Sequence, residues 1–149
     1  MRIAVTILLT LLLNTLVNGQ KLSQVSFLDG SNLSHFTIRT DQDVLIRIGA
    51  DGLILEYGYE VMSYRGDYYA PQLQPFLGRI EYYGTESDPY FSGKIKSVGT
   101  AYFTYYGPHE EEQKKGKLKS IGRLELDYYS RFDEKSLQGK LKLIGFHPL

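Results

Sequence analysis

The chain has 149 residues, with 17 Lys and Arg against 17 Asp and Glu, and no cysteine. A balanced charge gives neither nucleic acid nor an anionic membrane a reason to be the main partner. The missing cysteines exclude disulfides, a Cys-based zinc site and a lipobox cysteine for a lipid anchor.

The first nineteen residues read as a secretory signal peptide. A short basic start, Met1-Arg2, precedes an apolar run from Ile3 to Leu13 and the segment "NTLVNG". The run is shorter than the roughly 20 apolar residues of a spanning helix, and Asn14 and Asn18 interrupt its far end. Cleavage after Gly19 is expected, with Val17 and Gly19 at the cleavage site and a mature chain beginning Gln20-Lys21. Loss of Arg2 leaves the mature chain one charge negative. Residues 20–149 are long enough for one domain with its own core. Export without disulfides is more typical of bacteria than of an animal secretory pathway; the expected location is the periplasm, the outer membrane or the outside of a Gram-negative cell.

Thirteen Tyr, seven Phe and many Ile, Leu and Val favour half-buried strands. Fifteen Gly supply turns. After the leader no amphipathic helical run appears. "VLIRIGADGLILEY" predicts a hairpin turning at Ala50-Asp51-Gly52.

From there a phrase of the form Gly-x-apolar-x-x-apolar-Gly recurs. It reads "GLILEYG" at 52–58, "GRIEYYG" at 78–84, "GKIKSVG" at 93–99, "GKLKSIG" at 116–122 and "GKLKLIG" at 139–145. Units are expected at 52–77, 78–92, 93–115, 116–138 and 139–149, with the uneven spacing absorbed by variable loops. The two clearest units add a second segment, "TAYFTYY" or "RLELDYY", that alternates with the strand period of two. "HEEEQKKGK" reads as a solvated hairpin loop.

Within a unit the joint has three solutions, because Leu118, Ile121 and Leu124 lie three apart. One is a tight turn at Gly122-Arg123, with Gly at the first central position of a type II′ turn. A second is a three-residue loop that sets Leu118 opposite Leu126 and Lys119 opposite Glu125. The third is a Gly bulge in one long strand. A single hairpin is too small to be stable alone, so stacked copies must share a core. The fold class is all-β, repeated antiparallel hairpins forming an extended or curled meander, with an open barrel or roll as variants.

"YYSRFDEKSLQGKLKLIG" resembles the tyrosine-rich hairpin repeats of small exported Bacteroidota proteins. More distantly, the chain is similar to YD repeats, although Tyr129 is not followed by Asp and only Gly78-Arg79-Ile80 approaches their Gly-Arg-Leu element. The resemblance spans about Gly52 to Gly145. It implies a β-sheet scaffold and no catalytic residue.

The residues offer little chemistry. His35, His109 and His147 are isolated and form no His-x-x-x-His pattern. Glu110, Glu111 and Glu112 read as a solvated run. Asp41, Asp43 and Asp51 lack the EF-hand order. No Gly-x-Ser-x-Gly elbow occurs. No catalytic residue, metal ligand or cofactor is assigned.

Two features stand out. Doubled tyrosines recur at Tyr68-Tyr69, Tyr82-Tyr83, Tyr105-Tyr106 and Tyr128-Tyr129. Adjacent strand residues face opposite sides, so Tyr82, Tyr83, Tyr105, Tyr106, Tyr128 and Tyr129 are the candidate binding strip. Ordinary strand packing is the alternative. Lysine pairs recur at Lys94/Lys96, Lys117/Lys119 and Lys140/Lys142. They either form a basic stripe or pair with acids such as Glu125 and Asp127 and blunt the sheet edge. The expected function is a non-enzymatic secreted or envelope scaffold whose partner is another envelope protein or a glycan. A carbohydrate-binding module using exposed Tyr is the alternative, and a glycan hydrolase the third.

Overall fold

The computed structural model describes residues 20–28, 32–61 and 73–149. The leader and the pair Tyr68-Tyr69 lie outside them. Among the described residues there are twelve strands and no helix: β1 (Lys21–Leu28), β2 (Asn32–Arg39), β3 (Leu45–Gly49), β4 (Ile54–Glu60), β5 (Leu73–Pro75), β6 (Ile80–Tyr82), β7 (Ile95–Val98), β8 (Ala101–Tyr105), β9 (Leu118–Ile121), β10 (Leu124–Tyr128), β11 (Leu141–Ile144) and β12 (His147–Pro148). The protein is all-β, as its composition requires. The strands form two antiparallel sheets in sequence order, β1 to β5 and β6 to β12, and neither closes into a barrel.

The hairpin at Ala50–Gly52 forms where expected. Gly52 N donates to the Gly49 carbonyl at 2.9 Å, and Gly52 takes φ 80°. The two sheets share one core. Phe36, Ile38, Ile46 and Ile48 from the first meet Val98, Phe103, Ile121, Leu126 and Ile144 from the second. Each of these is essentially inaccessible to water, which is worth about 1.5–3 kcal/mol per large apolar side chain.

The joint takes the first of the three solutions. Ile121 pairs with Leu124, and Val98 with Ala101, leaving two-residue turns at Gly122-Arg123 and Gly99-Thr100. Gly99, Gly122 and Gly145 have φ of 57°, 55° and 59°, while the residue after each keeps a negative φ. That combination marks a type II′ turn. The three-residue loop that would face Leu118 with Leu126 does not form.

The remaining break in alternation is a bulge. The register runs Thr104↔Ser120 and then Tyr105↔Leu118, skipping Lys119. It skips Lys96 and Lys142 in the same way. One extra residue restores the inward direction, so Leu118 and Ile121 are both buried although three apart.

The hydrogen-bond pattern corrects two expectations. Gly99, Gly122 and Gly145 N donate to the carbonyls of Arg79, Tyr102 and Glu125 at 2.9, 2.7 and 2.7 Å. Donors and acceptors advance along the chain by one and the same interval, that from Gly99 to Gly122. "GRIEYYG" at 78–84 therefore matches "AYFTYYG" at 101–107, the second half of a unit, and not the glycine phrase at its start. With that phase the loops 84–92, 107–115 and 130–138 are equal in length. They also fold alike: Phe91, Lys114 and Leu137 N donate to Asp88, Glu111 and Glu134 O at 2.8, 2.8 and 2.9 Å. The loops vary in sequence and not in length.

The same interval explains why there are two sheets. The position one interval before Gly99 is Phe76. A bulky side chain there would be strained at the positive φ of the II′ turn. Phe76 instead packs in the core, β5 pairs with β4, and the chain crosses to β6.

Candidate functional site

The doubled tyrosines sit at the end of each second strand, opposite the bulge of the neighbouring strand. Tyr106 and Tyr128 are buried. Tyr83, Tyr105 and Tyr129 are half-buried. Tyr82, at 54 % exposure, is the exposed member of the six. The structure thus brings these rings together as packing, with Tyr82 at the margin.

Their hydroxyls hold neighbouring units. Tyr83 donates to the Phe103 carbonyl at 2.9 Å, and Tyr106 to the Leu126 carbonyl at 2.8 Å. Tyr105 and Tyr128 donate to Ile95 O and Leu118 O, each at 2.8 Å. The rings meet edge to face: Tyr83–Tyr105 and Tyr106–Tyr128 both have centroids 6.0 Å apart, at 76° and 78°. Such a contact adds about 0.5–1.5 kcal/mol beyond area burial. Burial pushes the Tyr105 and Tyr128 hydroxyls well above the ordinary phenol value. Tyr106 is pushed up to about 12, first by burial and then by the nearby charge of Asp127.

The lysine pairs divide into two roles. Lys94 donates to the Gly116 carbonyl and Lys117 to the Gly139 carbonyl, linking each loop to the next. Their ammonium groups lie over Tyr105 and Tyr128, 4.9 and 5.1 Å from the centroids. Burial pulls both below the usual lysine value. The bulge lysines face outward. Lys119 meets Glu110 at 3.8 Å and Lys142 meets Asp133 at 3.5 Å. The acidic partners are loop residues; Asp127 pairs with Lys114 at 2.6 Å. Four of the six lysines are thus engaged, and Lys96 and Lys140 are exposed.

A second row is marked in the sequence by the same interval. Thr100, Arg123 and Phe146 hold the same place in the three II′ turns, Leu77 falls one interval earlier in the crossing from β5 to β6, and all four are exposed. Thr100 N donates to Gln42 Oε1 at 3.2 Å, and Thr100 Oγ1 to Asp41 Oδ1 at 2.5 Å. Arg123 N donates to Gln20 Oε1 at 3.3 Å. The first sheet is thus latched to the second by two glutamines at matched turns. The ends of the row are large and apolar: Leu77 is 94 % and Phe146 98 % exposed. Phe132, in the third loop, is 79 % exposed.

Two open grooves border these elements. One, of about 510 Å³, is lined by Ser34, Asp51, Leu55, Gln138 and Lys140 among others. The other, of about 540 Å³, lies beside Phe146 and includes Gln20, Lys21, Arg123, Glu125 and His147. Sequence reasoning missed this second groove. Its signal was present, since the residue after each turn glycine reads Thr, Arg and then Phe. Among the described residues no group of three or more His, Asp or Glu could hold a metal ion, and no helix is long and apolar enough to cross a membrane.

Comparison with protein-family models, with curated proteins and with solved structures finds no match for this chain.

Proposed function

We propose that the protein is an exported, non-enzymatic interaction scaffold of a bacterial envelope. One observation carries this reading: large apolar side chains stand at the tips of turns and loops. Along the sheet, tyrosine hydroxyls and lysine ammonium groups are spent on backbone carbonyls of neighbouring units. At the margins, Leu77, Phe132 and Phe146 are left almost fully exposed. Aromatic side chains are enriched where a protein partner packs, which fits Phe132 and Phe146.

The glycan-binding reading loses most of its ring surface, because Tyr106 and Tyr128 are buried and their hydroxyls engaged. It retains Tyr82 and Tyr102, at 54 % and 60 % exposure.

The test is affinity capture from envelope extract with the mature chain, beside a glycan-binding screen. A protein retained by the wild type and lost with Phe132→Ser and Leu77→Ser supports the scaffold. Saturable glycan binding that depends on Tyr102, with no protein retained, replaces it with the carbohydrate reading.

A further inference from the structure

At two of the three II′ turns the amide after the glycine is met by a side-chain oxygen from elsewhere in the chain. Gln42 serves Thr100 and Gln20 serves Arg123. Phe146 holds the third equivalent place. Its N–H has no hydrogen-bond partner among the described residues, and its ring stands in solvent. The turn opens on the groove of about 540 Å³. Lys21 and Arg123 line that groove and make no ion pair among the described residues. Against them stands one carboxylate, that of Glu125, with His147 alongside. The groove is net positive, carries an aromatic wall and presents an open amide.

We propose that this groove receives an extended acidic segment of a partner protein. A Glu or Asp carboxylate of that segment accepts the Phe146 N–H, as the glutamine oxygens do at the two earlier turns. Lys21 and Arg123 supply the matching charge, and the neighbouring residues of the segment lie along the Phe146 ring. A peptide carries its carboxylate beside further side chains that can reach the Phe146 ring, which sets it apart from a lone acidic sugar. The inference rests on the scaffold reading and names the chemistry of one partner.

The experiment is an NMR titration of the mature chain. Three probes are compared: a capped pentapeptide alternating glycine and glutamate, its lysine counterpart, and glucuronate. The glutamate peptide is expected to shift the Gly145 and Phe146 amides saturably, more weakly as salt rises. The Thr100 amide, already capped by Gln42, stays in place and reports that the fold is intact. Arg123→Glu is expected to weaken binding at least about fivefold, because it places like charges together. The proposal is overturned if Phe146 does not saturate, if the lysine peptide shifts it equally, or if Thr100 moves as much as Phe146. It is also overturned if glucuronate binds as well as the peptide. Capture that depends on Phe132 beside a silent titration removes the groove and leaves the scaffold standing.

Discussion

The Tyr106 hydroxyl donates to the Leu126 carbonyl at 2.8 Å, one unit after Tyr83 makes the same bond to Phe103. A residue at the end of one second strand thus fixes the middle of the next. Tyr106→Phe deletes that bond. The expected cost is about 0.5–1.5 kcal/mol in urea unfolding. Tyr102→Phe is the control, since that ring is exposed, and it is expected to change stability by less than about 0.5 kcal/mol. Equal effects would show that the hydroxyl does not join the units.

Gly122 has φ 55°, and a Cβ there would meet the Gln20 side chain. Gly107, in the second loop, has no positive φ, and a Cβ there would find only Phe91 at 3.7 Å. Gly122→Val is expected to cost about 1–3 kcal/mol. Gly107→Val should cost much less. Two small and equal shifts in the urea midpoint would mean that the left-handed turn is dispensable.

Alkaline pH should loosen the sheet. Tyr106 holds its proton up to about 12 in the folded chain, against about 10 when unfolded. Between these values the native state binds more protons than the unfolded state, so stability falls as pH rises. The contribution is complete below about pH 10 and is lost as pH passes through about 12. Tyr105 and Tyr128 are raised in the same direction and extend the decline. Lys94 and Lys117 are lowered and work oppositely, adding stability as pH rises toward the unfolded lysine value. Thermal melts should therefore drop between about pH 10 and about pH 12, less steeply in Tyr106→Phe. A flat profile there would contradict the burial of these hydroxyls.

Processing supplies a test independent of the fold. Mass spectrometry of exported material is expected to find a chain beginning at Gln20, in part cyclised to pyroglutamate. An intact Met1 on exported protein would refute the signal-peptide reading.

The all-β class was legible because Tyr, Phe and β-branched residues alternate between glycine turns, and the II′ turn was legible as one of three options. The phase was misread at Gly78. That glycine begins a phrase by coincidence, whereas the pairs Tyr82-Tyr83, Tyr105-Tyr106 and Tyr128-Tyr129 are evenly spaced. Tyrosine was the better marker because its hydroxyl crosses between units, while a glycine only bends its own turn. Alternation sets Tyr128 on the face of Leu124 and Leu126, and it is buried there. Burial of Tyr106 was not legible, because alternation sets it with Tyr102 and Thr104, whereas it lies one residue past the end of β8, beside the bulge that Lys119 makes in β9. The latching of Gln20 to Arg123 and of Gln42 to Thr100 joins residues far apart in the chain, with no local pattern to announce it.

Equal loops give this sheet a ruler with a single graduation. Removing the segment 101–123 would join Thr100 to Leu124, which holds the place after its turn that Ala101 holds one unit earlier. Every inward side chain downstream would still point inward, and Gln20 would find the Phe146 amide where Arg123 had stood. A deletion longer or shorter by a single position would turn the same strands inside out. The chain is therefore free to lengthen or shorten in whole graduations and in nothing smaller, so variants of this protein should differ in how many graduations they count before they differ in the graduation itself.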